Sequence, residues 1–128
     1  MANRADVVSM DSFPNPDRVT IHPAKLTGYL LSLTNLQGMG KAKWFRRIGY
    51  DVSNADLLAK ALCRFPLDCS LVEMIPSPPY GTKYVVDGEL NGPAGRGIVR
   101  TVWQLDAGET NPRLITAYPT GETEKDDD

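Results

Sequence analysis

The sequence predicts a single α+β domain in which three N-terminal helices pack on a four-stranded antiparallel sheet. Residues 22–65 contain three segments with apolar side chains at helical spacing, whereas the chain after Pro66 alternates with a period of two. Helices in a row followed by strands in a row are typical of the α+β class, because a parallel α/β sheet would alternate them.

Three regions differ in composition. Residues 1–17, with Pro14 and Pro16 among polar residues, are predicted to form an extended N-terminal arm, residues 18–119 the α+β domain, and residues 120–128 a disordered acidic tail. The tail has five acidic residues and one lysine, so the rest of the chain carries a formal charge of +2 although the net charge is -2. Such a body has room for a local anion-binding patch but is far less basic than a typical duplex-DNA binder.

The first two helices are predicted at residues 22–33 and 36–50. Pro23 suits the first turn of the first helix, and Gly49 is well placed to end the second. The apolar face of the first helix comprises Leu26, Tyr29, Leu30 and Leu33.

The third helix is predicted at residues 53–65. Ser53 precedes Asp56 by three residues, which resembles a capping box with the shorter acid. Its apolar stripe comprises Leu57, Leu58, Ala61, Leu62 and Phe65.

Four strands are predicted after the helices, at residues 70–75, 82–90, 97–105 and 113–118. The connections between them are short enough for hairpins, which predicts an antiparallel meander. In the last strand, strict alternation places Leu114, Thr116 and Tyr118 on one side and Arg113, Ile115 and Ala117 on the other.

The second helix has a basic face and an apolar face. The basic face consists of Lys43, Arg46 and Arg47, and the apolar face of Trp44, Phe45 and Ile48. Lys41 points into the apolar arc, where it could either extend past the helix end to water or hold its ammonium in a cleft that binds an anion. The basic face could be solvated or could contact RNA.

Several chemistries are excluded by the residues present. The sequence has no P-loop, no dinucleotide-binding glycine motif, no HExxH and no GxSxG. Cys63, Cys69 and the single His22 cannot supply a four-ligand zinc site, so we expect two free thiols, no metal and no cofactor. His22 could cap the first helix or be exposed. No segment suits a bilayer or a secretory signal, which predicts a cytoplasmic protein without membrane contact.

Five motifs resemble a family of uncharacterised small bacterial domains over about residues 18–119: "KLTGYLLSL", "GKAKWFRRIGY", "YGTKYVVDGELNGPAGR", "VRTVW" and "PRLITAYP". Members occur alone and as toxin-like C-terminal modules of large bacterial proteins. The order of helices and sheet is also similar, at the level of fold, to ribonuclease toxins of the barnase, EndoU, colicin and RelE group.

The resemblance implies metal-independent cleavage of RNA, and it singles out residues by motif. Lys41 belongs to "KAKWF", Arg100 and Trp103 to "VRTVW", and Arg113, Thr116 and Tyr118 to "PRLITAYP". The residues predicted as catalytic are Lys41, Arg100, Thr116 and Tyr118. Those predicted to bind the substrate are Lys43, Arg46, Arg47 and Arg113.

One position departs from the resemblance. Family members carry a histidine before the "KAKFF"-like motif, where this sequence has Asn35. Without that proton-transfer group, His22 or Tyr118 would have to substitute, or the protein would be slow or inactive. The alternative function is a non-catalytic module that binds protein or RNA. The partners considered are RNA and an immunity or other protein, and the sequence leaves monomer and homodimer open.

Overall fold

A computed structural model describes residues 13–32 and 39–123 of the chain. The helical elements are α1 (Pro23–Lys25) with a π-helical turn (Leu26–Leu30), α2 (Met39–Arg47), a 3-10 turn (Val52–Asn54), α3 (Ala55–Cys63) and α4 (Phe65–Asp68). The strands are β1 (Ser70–Ser77), β2 (Gly81–Gly92), β3 (Gly95–Asp106) and β4 (Arg113–Thr123). The predicted α+β class is confirmed, with the helices N-terminal to the strands.

The sheet is an antiparallel meander in the order β1-β2-β3-β4, as predicted. Gly92 pairs with Gly95, so Pro93 and Ala94 form a two-residue hairpin turn between the two long central strands. Thr20 adds an isolated parallel bridge to Arg113 at the start of β4.

The first helix begins where Pro23 predicts. The Nδ1 atom of His22 accepts a hydrogen bond of 3.1 Å from the backbone N–H of Ala24. His22 therefore caps the helix, which is one of the two roles that the sequence leaves open for it.

The continuation of this helix is π-helical rather than α-helical. The N–H of Leu31 donates to the carbonyl of Leu26, five residues earlier, at 2.7 Å. Leu26 and Leu30 are buried, as their spacing predicts, whereas Tyr29 is only partly buried. Leu33 lies outside the described residues.

The N-terminal cap predicted at Ser53 is wrong, because the reciprocal cap is formed by Asp51 and Asn54. The Asp51 carboxylate accepts from the Ser53 N–H at 2.9 Å, and Asn54 Oδ1 accepts from the Asp51 N–H at 2.8 Å. A carboxylate at the N-cap also interacts favourably with the helix dipole, an interaction that a neutral serine hydroxyl lacks. The capped 3-10 turn thus precedes α3.

The core lies between the helices and one face of the sheet. Its largest fully buried side chains include Trp103, Phe45, Leu30, Leu58, Leu62, Leu90, Val86 and Val99. Phe13 also belongs to it, with its ring 6.0 Å from that of Trp103 at 88° and 5.5 Å from that of Tyr84. The segment before the first helix is therefore tied to the sheet at Phe13.

Strand β4 contains an irregularity that strict alternation does not predict. Its pairing with β3 shifts between Val102 and Trp103, because Val102 pairs with Thr116 and Trp103 pairs with Leu114. Leu114 and Ala117 are consequently both buried, although alternation would place them on opposite faces. The predicted grouping of Leu114 with Thr116 is therefore wrong.

Other sequence-based expectations concern the chain ends and the cysteines. Strand β4 continues to Thr123 and so includes the first four residues of the segment predicted as the tail. Asn35 and residues 1–12 and 124–128 lie outside the described residues. Cys63 and Cys69 are free thiols, as predicted. Within 13–32 and 39–123, no helix is long and apolar enough to cross a membrane, and no cluster of His, Cys, Asp or Glu suits a metal ion.

Candidate functional site

Lys41 is the centre of a cluster of hydroxyl groups drawn from distant parts of the chain. Its Nζ donates to the Tyr29 hydroxyl and, at 3.0 Å, to Thr116 Oγ1. The same ammonium lies 4.6 Å from the centroid of the Tyr29 ring and 5.8 Å from that of Tyr118. We call Tyr29, Lys41, Thr116 and Tyr118 the lysine cluster.

Packing of α2 explains the position of Lys41. Ala42, Phe45 and Ile48 are buried and fix the helix on the core, so the neighbouring Lys41 is half-buried beside them. Of the two orientations that the sequence allows, the structure has the ammonium held inside a group of polar side chains. It does not extend freely into water.

Strand register explains the other members of the lysine cluster. Thr116 and Tyr118 are two residues apart beyond the irregularity in β4, so their side chains share a face of the strand. Tyr29 belongs to the π-helical turn, next to the buried Leu30. The cluster therefore joins the first two helical segments to the last strand.

Arg100 lies beside the lysine cluster but is already engaged by a carboxylate. It is directly opposite Tyr118 on β4 and Asp87 on β2. Its Nε and Nη2 donate to the two Asp87 carboxylate oxygens, each at 2.8 Å. Hydrogen bonding and charge from Asp87, followed by smaller effects of Tyr118, raise the pKa of Arg100. Arg100 is permanently charged, and Asp87 compensates that charge.

The electrostatic environment of Tyr29 favours its ionised form. The hydrogen bond from Lys41 is the main cause that lowers the pKa of Tyr29 below its ordinary value of 10.0, against the opposing effect of burial. A hydrogen bond with Thr116 and the charges of Lys41 and Lys25 act in the same downward direction. A phenol placed in this way is a candidate for proton transfer.

The residues predicted to bind the substrate lie outside the lysine cluster, three of them together on α2 and Arg113 on β4. Lys43, Arg46 and Arg47 are exposed on α2, and Arg46 Nη1 lies 3.9 Å from Asp51 Oδ2. Arg113, at the other end of β4, donates from Nε to Asp106 Oδ2 at 2.8 Å. Within the described part of the chain, none of these four forms a side-chain hydrogen bond or a cation–π contact with the lysine cluster.

Trp103 is a structural residue, contrary to its selection by motif. It is completely buried, and its Nε1 donates to Thr101 Oγ1 at 2.8 Å. An indole that is completely buried and whose N–H already has a hydrogen-bond acceptor has a structural role in the core. The motif "VRTVW" thus combines one half-exposed residue, Arg100, with a core anchor.

Sequence reasoning missed three residues of the site, namely Tyr29, Asp87 and Lys25. Tyr29 was assigned to the apolar face of the first helix, although the motif "KLTGYLLSL" contains it. Lys25 precedes Tyr29 by four residues, a spacing at which helical side chains meet. Asp87 had no local signal, because only the strand register brings it opposite Arg100.

Comparison with known families assigns the chain to one of them. The profile of the domain of unknown function DUF6883 matches residues 12–121, which is most of the chain. The chain belongs to the DUF6883 family. No curated protein matches this DUF6883 chain in sequence.

A solved structure shows the same fold at low sequence identity. It is a chain of a contact-dependent growth inhibition toxin and immunity protein complex from Klebsiella pneumoniae 342. The match has a TM-score of 0.66 and 16% identity, and it covers 84% of the DUF6883 chain and 97% of the other chain. At this identity the likeness concerns the fold alone.

Proposed function

We propose that this DUF6883 domain is a toxin-like ribonuclease that cleaves RNA phosphodiester bonds without a metal ion. The observation that carries the proposal is the lysine cluster, in which one ammonium is surrounded by three hydroxyl-bearing side chains. A reacting phosphodiester needs positive charge, hydrogen-bond donors and groups that move protons, and the cluster contains all three types.

The proposed reaction is attack of the ribose 2′-oxygen on the adjacent phosphorus. A bond forms between the 2′-oxygen and phosphorus, the bond from phosphorus to the 5′-oxygen breaks, and a 2′,3′-cyclic phosphate results. Tyr29 as phenolate accepts the 2′-hydroxyl proton, and the Tyr118 hydroxyl gives its proton to the leaving 5′-oxygen. Water then returns both tyrosines to their starting states.

Lys41 and Thr116 have the role of stabilising the pentacovalent phosphorane. The Lys41 ammonium offsets the negative charge that develops on the non-bridging oxygens, and the Thr116 hydroxyl donates to one of them. Lys41 also stabilises the Tyr29 phenolate, which is consistent with the direction of the Tyr29 pKa. One residue thus supports both the base and the transition state.

Arg100 has a secondary role in this proposal. Two of its five N–H groups are committed to Asp87, so only the other donors are available to a phosphate while this pair is intact. Because Asp87 compensates the charge, we assign Arg100 to orienting the phosphate rather than to most of the electrostatic stabilisation.

The structural neighbour supports the toxin-like part of the proposal. That neighbour comes from a complex of a contact-dependent growth inhibition toxin with an immunity protein. By that analogy, an immunity protein is the expected protein partner of this domain, whereas RNA as the substrate rests on the lysine cluster and not on the neighbour.

A second candidate function is a non-catalytic module that binds RNA. It is favoured by Lys43 and Arg47, which are exposed on α2 and form no ion pair within the described residues. Together with Arg46 they form a cationic surface that can bind an RNA backbone. Such binding would not depend on catalysis at the lysine cluster.

The test is cleavage of total bacterial RNA by purified protein in the presence of EDTA. We compare the natural sequence with Lys41→Ala, Tyr29→Phe and Arg100→Ala, and use Lys60→Ala on the exposed side of α3 as the matched charge control. Loss of the proton acceptor in Tyr29→Phe should slow cleavage by about 10²- to 10⁴-fold, and Lys41→Ala should be affected at least as strongly. Lys60→Ala should cleave like the natural protein.

Two results would overturn the proposal. One is folded natural protein that binds RNA but does not cleave it at any concentration, which would favour the binding module. The other is cleavage that survives in both Lys41→Ala and Tyr29→Phe, because the activity would then arise elsewhere or from a contaminant.

A further inference from the structure

A second lysine lies against the same tyrosine ring as Lys41. Lys25 Nζ is 5.3 Å from the centroid of the Tyr29 ring, and Lys41 Nζ is 4.6 Å from it. The two ammonium groups can therefore be no farther apart than the sum of these distances. Lys25 is half-buried at the end of α1, one helical turn before Tyr29.

Neither lysine is neutralised by an acid. The ion pairs among the described residues engage five arginines, which are Arg46, Arg64, Arg96, Arg100 and Arg113. Lys25 and Lys41 have no carboxylate within salt-bridge distance in the same part of the chain. Their two positive charges therefore lie close together, without an acidic partner among the described residues, beside a potential proton-transfer group.

We propose that Lys25 binds the phosphate adjacent to the reacting one, so that the site accepts a single-stranded polynucleotide rather than an isolated dinucleotide. The inference rests on the proposed function of the lysine cluster. A lysine ammonium is a compact point charge with rotatable donors, which suits a phosphate that has to be held but not activated.

The spacing of phosphates along a strand supports this assignment. Neighbouring phosphates of a strand are separated by more than the axial rise, which is about 3.4 Å per charge in B-form DNA, so two adjacent phosphates fit within the reach of the two lysines. The expected ligand is therefore single-stranded RNA read through its backbone.

A purely structural role for Lys25 makes a different prediction. An ammonium over a tyrosine ring contributes about 0.5–1 kcal/mol at an exposed site, and its loss would lower stability without changing how the protein binds a strand. The test must therefore measure binding and folding separately, and thermal unfolding of each variant provides the folding measurement.

The experiment uses a single-stranded oligodeoxynucleotide, which lacks the 2′-hydroxyl and cannot be cleaved by the proposed route. Fluorescence anisotropy gives its Kd at several salt concentrations for the natural protein, Lys25→Gln, Lys25→Arg and the control Lys60→Gln. Loss of one phosphate contact should reduce the slope of log K against log salt by about 0.7 in Lys25→Gln. Lys25→Arg should restore the slope, and Lys60→Gln should leave it unchanged.

The outcomes separate this inference from the proposed function. A reduced slope in Lys25→Gln supports the Lys25 contact even if the natural protein does not cleave RNA. An unchanged slope, or no binding by the natural protein, overturns the inference even if RNA is cleaved. In a cleaving protein, Lys25→Gln should also raise KM for an oligoribonucleotide by a larger factor than KM for a dinucleoside monophosphate, which has no adjacent phosphate for Lys25 to hold.

Discussion

Arg100 and Asp87 face each other across β2 and β3 and are joined by two hydrogen bonds of 2.8 Å, one to each carboxylate oxygen. Their side chains are 35% and 26% exposed, so water reaches the pair without separating it. The ion pair lies on the two central strands, with Arg100 directly opposite Tyr118 of the lysine cluster. It determines how much of the Arg100 charge is available to an anion.

Asp87→Asn tests the structural contribution of this pair. Removing the carboxylate charge should lower the free energy of unfolding by about 1 kcal/mol, because a partly exposed ion pair is weakened by solvent screening. Urea denaturation gives the value. Asp106→Asn is the matched control, because it breaks a similar but more exposed pair with Arg113 and should cost less. A larger loss in the control would contradict our view of the Arg100 pair.

Tyr29 should ionise at lower pH than an ordinary tyrosine. The phenolate absorbance that disappears in Tyr29→Phe should therefore titrate below pH 10.0, and Lys41→Met should move it upward by removing the main cause of the shift. Tyr50→Phe is the control of opposite sign, because burial raises the pKa of Tyr50. If the Tyr29→Phe and Tyr50→Phe difference titrations had the same midpoint, the opposite pKa shifts assigned to Tyr29 and Tyr50 would be contradicted.

The same shift affects stability with a defined sign. Because the folded-state pKa of Tyr29 lies below the unfolded value, the folded protein releases this proton first as pH rises. The Tyr29 contribution to the free energy of unfolding therefore grows between these two pKa values and is lost as pH falls through the folded one. Denaturant midpoints of the natural protein and Tyr29→Phe should diverge over that interval and run parallel at pH values below it.

Phe13→Ala should destabilise the domain strongly. The ring is 7% exposed and covers both Trp103 and Tyr84, so its removal leaves a cavity above the largest buried side chain. The expected loss is about 3 kcal/mol, within the range for phenylalanine truncation in a core. Chemical denaturation measures it. Leu67→Ala, at a side chain that is 49% exposed, should have little effect.

Two glycines allow backbone strain and steric clash to be separated. Gly49 and Gly108 both have positive φ, 104° and 86°, but only Gly49 is crowded. A Cβ at Gly49 would lie 2.8 Å from Ala94 N, whereas one at Gly108 would meet nothing within 4 Å. Gly108→Ala should cost about 1 kcal/mol from the left-handed backbone alone. Gly49→Ala should cost clearly more in thermal unfolding, and equal losses would contradict this.

Periodicity in the sequence was sufficient for the order and type of the main elements. The apolar spacing that buries Leu58 and Leu62 in α3, and the alternation that buries Val99 and Trp103 in β3, are local properties of the chain. The π-helical turn at Leu26–Leu30 and the register shift in β4 were missed, because neither has a local pattern and both depend on packing partners.

The candidate site was only partly accessible to the same reasoning. Motifs selected Lys41, Thr116 and Tyr118, which the structure does bring together. The motifs could not reveal Tyr29, because a tyrosine within an apolar stripe is predicted to be a core residue. Nor could they reveal that Arg100 is paired with Asp87, because that contact depends on strand register.

The hydrogen bond between Lys41 and Thr116 spans 75 positions of the chain. One partner belongs to the helical half and the other to the final strand, with the short connection between α4 and β1 dividing them. A break at that connection would leave each fragment with an incomplete set of polar groups, and only their reassociation would rebuild it. This layout suits the domain to two-fragment complementation. Activity of the lysine cluster would then indicate that the two fragments have reassociated.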